Sequence, residues 1–146
     1  MQESEGAGAT VAGGCLCGRV RFEIGLPTLF CAHCHCSMCR KSHGAGFVTW
    51  VGVPYARFRI TAGEEALRRY DSSEHGWRRF CGECGSSMLC ESSTHAAYIA
   101  VALASLDGAV DRAPSQHIFV DDRAGFVQID DGLPRLGGKS GLEPRS

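Results

Sequence analysis

Long hydrophobic runs are missing from this sequence. The longest apolar stretch, Tyr98 to Leu106 with one serine in it, is about half the roughly 20 residues a membrane-spanning helix needs. No transmembrane helix is expected, and no membrane partner. Neither sign of charge dominates: Lys plus Arg number 15 and Asp plus Glu 16, a formal net charge of −1. That balance removes the electrostatic case for nucleic acid as the main partner. The opening residues, MQESEGAGATVAGG, lack the apolar h-region of a secretory signal peptide. A cytoplasmic location is therefore expected, and a disulfide framework is not. Internal repeats are absent apart from two similar cysteine knuckles. With 21% charged and 44% hydrophobic residues over 146 positions, the chain is not broadly disordered and suits one domain.

Glycine and cysteine are what the chain has in excess. Glycine supplies 19 of the 146 residues, well above the average of about 7%. Many tight turns follow, which favours β structure over helical bundles. Cysteine supplies 9, an odd number. With no secretion signal expected, clustered cysteines point to metal ligation or catalysis.

The hydrophobic pattern supports the β reading. Val20-Arg21-Phe22-Glu23-Ile24 alternates apolar and charged residues, the period of a half-buried strand. Phe47 to Val53 is rich in aromatic and β-branched residues and stops at Pro54. Phe58 and Ile60, flanked by Arg57 and Arg59, read as another alternating strand. Tyr98 to Leu106 reads as a strand buried on both faces, with a short alanine-rich helix as the alternative. His117 to Val120 and Gly125 to Ile129 read as two late strands around a turn at Asp121-Asp122-Arg123. Glu64 to Ser73 fits helix or strand. Met1 to Gly14 reads as a loose tail, and Asp131 to Ser146 as Gly- and Pro-rich surface coil.

Seven cysteines fall into three short groups: Cys15 and Cys17, then Cys34, Cys36 and Cys39, then Cys81 and Cys84. Zinc takes four soft ligands in a tetrahedron, and a tight turn can aim two thiolates at one point. Neighbouring glycines let backbone amides approach the sulfurs. Two pairs make one closed four-thiolate site, Cys15, Cys17, Cys81 and Cys84. The remaining three make a site with one open position. The expectation is two zinc ions per chain. One structural zinc with the other thiols free, or disulfide or iron–sulfur chemistry, are the alternatives. Arg19, Arg40, Lys41, Arg78 and Arg79 adjoin these cysteines in sequence and could offset their negative charge, or could simply face solvent.

Three stretches together resemble the signature of glutathione-dependent formaldehyde-activating enzymes, a domain that also occurs in centromere protein V. They are Gly-Gly-Cys15-Leu-Cys17-Gly-Arg-Val-Arg-Phe, Cys34-His-Cys36-Ser-Met-Cys39-Arg-Lys-Ser-His-Gly44-Ala, and Phe-Cys81-Gly-Glu-Cys84-Gly. The later His117-Ile-Phe-Val and Asp131-Gly-Leu-Pro134 fit the same pattern. The resemblance implies a mostly β protein of antiparallel β-tent type stapled by zinc, with little helix. It implies tails at 1–11 and 137–146 around a zinc-binding domain at 12–136. It also implies a structural zinc on the first and last cysteine pairs and a three-thiolate zinc on the middle group. The activity implied is that of a carbon–sulfur lyase acting on a thiol–aldehyde adduct such as that of glutathione and formaldehyde, with a small-molecule thiol as partner. A non-catalytic zinc-stabilised binding module and a thiol redox or metal-handling protein using Cys31 and Cys34 are the other readings.

Several residues add to the bare pattern. Cys31 makes a Cys-x-x-Cys with Cys34 and could close the middle site. His33, His35 and His43 lie beside it. His35 sits between two ligands on an extended segment and is expected to face away from them. His43 is the better candidate for proton handling or substrate contact. Arg40 or Lys41 could bind a substrate carboxylate, and Cys90 is a small buried hydrophobe.

Overall fold

The computed structural model describes residues 8–145. The alternation around Phe22 produces what it encodes. In β2 (Arg21–Gly25) Phe22 and Ile24 are fully buried while their neighbours are partly exposed. β1 (Thr10–Gly14) and β5 (Phe58–Ala62) flank β2 in a three-stranded antiparallel sheet. Residues 10–14, read above as tail, are thus paired strand, Thr10 to Gly14 running against Gly25 to Arg21. The first seven residues of that expected tail lie outside the described residues.

The larger sheet has nine strands. In chain order these are β3 (Phe30–Cys34), β4 (Val48–Pro54), β6 (Leu67–Tyr70), β7 (Gly76–Cys81), β8 (Ser87–Ser92), β9 (Tyr98–Ala102), β10 (His117–Ile118), β11 (Arg135–Gly137) and β12 (Glu143–Arg145). Across the sheet they run β12-β11-β10-β3-β4-β9-β8-β7-β6. All pairings are antiparallel except those of β10, which runs parallel to both β3 and β11. The one α-helix among the described residues is α1 (Ser37–His43), which starts on Cys36 and ends at Gly44 in the left-handed region, φ 60°.

Three sequence readings are corrected. The Tyr98 strand ends at Ala102 and continues as a 3-10 turn at Leu103–Ser105, where Ser105 Oγ donates to the Ala102 carbonyl. Gly125 to Ile129 forms no strand; Val127 N–H closes a turn onto the Ala124 carbonyl, and Phe126 is left exposed. The strand beginning at His117 stops at Ile118, because Phe119 takes a positive φ of 56° and starts a 3-10 turn. Conversely, the stretch read as C-terminal coil carries β11 and β12, paired Arg135↔Arg145 through Gly137↔Glu143. Both are only three residues long, and Gly137 alone among their six residues is buried, so no hydrophobic alternation announced them.

The main core fills the space between the two sheets with Val20, Phe22, Ile24, Val51, Val53, Met88, Ile99 and Val101, together with Cys15, Cys31 and Cys81. A second, smaller core gathers Cys34, Cys36 and Cys39 against Val48, Trp50 and Ala102. β3 divides the two, with Cys31 on one side and Cys34 on the other. Three positions apart along a strand, the two side chains point to opposite faces. No helix among the described residues is long and apolar enough to cross a membrane.

Candidate metal centre

The first knuckle is the turn joining β1 to β2. Gly18, at φ 80°, lets its N–H reach the Cys15 carbonyl at 3.1 Å, and the Val20 N–H points at Cys15 Sγ at 3.2 Å. The second knuckle joins β7 to β8. The Cys81 sulfur faces the N–H groups of Glu83 and Cys84, each at 3.4 Å, and Gly85 at φ 82° closes the turn. Leu16 N–H donates to Ser86 Oγ at 2.9 Å, which locks one knuckle onto the other. The four sulfurs of Cys15, Cys17, Cys81 and Cys84 lie within 4.8 Å of one another. Cys15 and Cys81 are buried, while Cys17 is open to solvent. Hydrogen bonds from Ser86 lower the Cys84 thiol to about 5.

The second cluster is built by one strand end and one helix start. β3 delivers Cys34, and Cys36 caps α1 by accepting the Cys39 N–H at 3.2 Å. All three sulfurs again lie within 4.8 Å, and all three residues are buried. Cys39 is the focus of the local field. It takes the Trp50 indole N–H at 3.4 Å and two Arg78 guanidinium contacts at 3.5 and 3.6 Å. Hydrogen bonds from Cys34 and Cys36, then the Arg78 charge and Trp50, push the Cys39 thiol far below the ordinary range. Arg78 is itself buried, 7% exposed, and braced by Ser42 and Ser72 hydroxyls at 3.3 Å.

Each set fits a soft ion on its chemistry. Thiolates that accept backbone N–H groups in tight turns are the donors of structural and catalytic zinc sites. Cys31 does not join the middle group. It lies in the main core beyond β3, where burial pushes its thiol up. Cys90 is half-buried against the second core, its thiol pushed up to about 11 by burial.

Two clefts flank α1. One, of about 620 Å³, is lined by Cys15, His43, Phe47, Thr49, Ala104 and others. The other, of about 630 Å³, has Met38, Lys41, Tyr70, Arg78 and Phe80 in its walls. Ser42, Gly85 and Ser87 line both, so the clefts adjoin. The His43 ring packs edge-on against Trp50, centroids 5.3 Å apart, and burial followed by the Arg78 charge pushes it down to about 4.

The family model described as "Glutathione-dependent formaldehyde-activating enzyme" matches residues 10–122. The chain belongs to that family. A Halomonas elongata protein, provisionally named as a glutathione-dependent formaldehyde-activating enzyme, is 26% identical over 125 residues, covering 81% of this chain and 80% of its own length. A crystal structure of a Rhodobacter sphaeroides protein superimposes with a TM-score of 0.58 at 26% identity, covering 69% of this chain and 92% of that one.

Within this family member, sequence reading named all seven clustered cysteines but missed which basic residue serves which cluster. Arg78 adjoins Cys81 in sequence, yet the β7 strand turns it away from the first cluster and onto Cys39. A usable signal was present: an arginine inside a strand otherwise flanked by Trp77 and Phe80 must find an anion if it is buried. Arg40 and Lys41 sit on α1 beside the second cluster, and Lys41 lines the second of the two clefts. His33 and His35 face away from the cysteines, toward His117.

Proposed function

We propose that this protein is a zinc-dependent enzyme of carbon–sulfur lyase type acting on a thiol–aldehyde adduct of the glutathione–formaldehyde kind. The proposal assigns zinc to both clusters: a structural ion at Cys15, Cys17, Cys81 and Cys84, and an open, catalytic one at Cys34, Cys36 and Cys39. The donor count carries the reading. Three buried sulfurs converge, and the nearest spare thiol in sequence, Cys31, lies across the strand in another core. Bound by three thiolates, zinc would be a soft, weakly acidic centre suited to holding a substrate sulfur as thiolate.

The remaining chemistry belongs to the chain. Arg78 offsets the negative charge that the three thiolates concentrate in a dry site. Lys41, with Arg78 behind it, gives its cleft a positive lining for a carboxylate of a glutathione-like thiol. In the synthetic direction the sulfur adds to the aldehyde carbon, the C–S bond forms, and the carbonyl oxygen takes up a proton. The thiol proton leaves to solvent in the adjoining cleft when the sulfur becomes a thiolate, and His43, which lines that cleft, is the candidate to relay a proton back to the oxygen. Holding both reactants beside each other supplies the orientation advantage.

Cobalt substitution tests the reading. Adding glutathione to the cobalt-loaded protein should strengthen the sulfur-to-cobalt charge-transfer absorption. The effect should vanish in a Cys36→Ala variant that keeps the four-cysteine metal. NMR exchange spectroscopy of glutathione with formaldehyde should show faster exchange when the protein is present. An unchanged cobalt spectrum together with unchanged exchange rejects the proposal.

A further inference from the structure

A second constellation lies on the face of β3 opposite Cys34. His33 and His117 are register partners in the parallel pairing of β3 with β10, and their rings are 4.8 Å apart. His117 Nε2 stands 2.8 Å from Asp131 Oδ2. Ligand atoms of His33, His117 and Asp131 all fall within 4.8 Å of one another. None of the three contributes to the cysteine clusters.

The surroundings orient these groups as supporting residues orient metal ligands. The His33 Nδ1 is 2.7 Å from Thr49 Oγ1, so an Nδ1–H donated there leaves the Nε2 lone pair free. His35, fully buried, holds His117 from behind, its Nε2 2.8 Å from His117 Nδ1. Its own Nδ1 has no hydrogen-bond partner among the described residues. A buried histidine with one orphaned nitrogen is costly to keep, and here its paired nitrogen fixes the ring of His117. Asp131 is also oriented: Oδ1 accepts the Leu133 N–H at 3.1 Å, which leaves Oδ2 toward the histidines. His117 is 3% exposed and Asp131 side-chain exposure is 42%, so the cluster is rooted in the fold and open to solvent on one side. The Phe47 ring packs edge-on against His33, centroids 4.9 Å apart.

We propose that His33, His117 and Asp131 form a third metal site, with nitrogen and oxygen donors, for a divalent transition ion such as Zn²⁺, Co²⁺ or Fe²⁺. Two imidazoles and one carboxylate suit borderline ions and leave further coordination positions open. Calcium and magnesium, which prefer all-oxygen sets, fit it poorly. Thr49 and Phe47 belong both to this cluster's surroundings and to the cleft beside His43, so an ion here would stand at the edge of that cleft. The assignment does not depend on the reading of the cysteine clusters.

The test compares the wild-type protein with Asp131→Ala and His33→Gln after dialysis against cobalt chloride. The wild type should carry one equivalent of cobalt that shows ligand-field absorption without sulfur charge transfer. Both variants should lose that equivalent, or bind it at least tenfold more weakly, while the charge-transfer intensity of the cysteine-bound cobalt is unchanged. Circular dichroism shows whether each variant is folded; Asp131 is exposed enough for one replacement to be tolerated. The proposal is overturned if the wild type takes up no cobalt beyond its sulfur-ligated ions. It is equally overturned if the folded variants hold as much cobalt as the wild type.

Discussion

Arg78 is the most informative residue to perturb, because a buried cation has a single anionic cluster to serve. Its guanidinium lies 3.5 and 3.6 Å from Cys39 Sγ. At an effective dielectric of about 20, two unit charges at that distance attract by roughly 4–5 kcal/mol. Returning the arginine and the thiolate to water would recover part of that, so the net benefit is smaller. Charge-assisted hydrogen bonds in proteins contribute about 1.5–3 kcal/mol. We therefore expect Arg78→Met to weaken metal binding at Cys34, Cys36 and Cys39 by about 2–3 kcal/mol, or about 30- to 160-fold. The assay is metal competition against a chromophoric chelator, which reads the two clusters as separate steps. The step assigned to Cys15, Cys17, Cys81 and Cys84 should not move, since Arg78 does not touch it. Arg78→Lys keeps a charge but loses the two-pronged contact and the serine braces, so it should fall between wild type and Met. If Arg78→Met leaves both steps in place, the charge-compensation argument fails. If it shifts both equally, the residue acts on the fold and not on the cluster.

Other outcomes follow from particular contacts. Cys81→Ser should strongly lower the melting temperature and remove the metal of the four-cysteine cluster, because that cluster joins the two sheets; unchanged melting and metal content would refute the assignment. Gly63→Ala should be far more costly than Gly44→Ala, although both glycines have positive φ: a Cβ at Gly63 meets the Arg19 carbonyl oxygen at 1.9 Å, while one at Gly44 meets nothing within 4 Å. We expect about 1 kcal/mol for Gly44 and several degrees more loss in thermal melts for Gly63. Glu91, 5% exposed, accepts from Tyr55 Oη at 2.6 Å and Trp77 Nε1 at 3.0 Å and lies 2.8 Å from Arg79 Nε. Glu91→Ala should cost about 2–3 kcal/mol in urea unfolding, mostly from leaving the Tyr55 hydroxyl and the Trp77 indole N–H without their acceptor, since the Arg79 side chain, 31% exposed, can turn to water. Burial opposes ionisation of Asp111, but the Thr28 N–H and hydroxyl, 3.0 and 2.7 Å away, bring its carboxyl below the usual range. A depressed carboxylate stabilises the fold above its unfolded value of about 4, and that contribution fades as pH falls through the lower folded value. Asp111→Asn should thus lose stability at neutral pH and show a flatter decline on acidification; parallel wild-type and variant curves would exclude this role.

Much of the candidate site was legible because ligand spacing is a local property. Cys-x-Cys, Cys-x-x-Cys and the flanking glycines each describe one turn, and a turn needs only its own few residues to aim two sulfurs. The β2 and β4 strands were legible for the same reason, since alternation and β-branched runs are read from neighbours. What failed was non-local. The β11 and β12 pair is short, with Gly137 its one buried residue, and forms against the edge of β10; nothing in residues 135–145 alone demands it. The apparent strand at 125–129 has the right residues but pairs with no strand; Val127 N–H closes a local turn onto the Ala124 carbonyl, and Phe126 stays exposed. Arg78 and Asp131 gain their roles from partners 39 and 14 positions away, across a sheet and a loop.

The topology gives the two cysteine clusters different work on the proposed reading. Cys15 and Cys17 stand on the turn leaving the three-stranded sheet, and Cys81 and Cys84 on a turn of the nine-stranded one. An ion held by all four bridges a seam that otherwise depends on apolar packing between Phe22, Ile24, Val51 and Val53, and its binding energy is therefore folding energy. Cys34, Cys36 and Cys39 span only six positions and already have their geometry set by the α1 cap, Trp50 and Arg78. An ion there closes almost no loop, so little of its binding energy is needed to hold the chain together. That cluster can tolerate an exchangeable fourth ligand, and a site whose metal is not needed for the fold is the one of the two that can use its open position for chemistry.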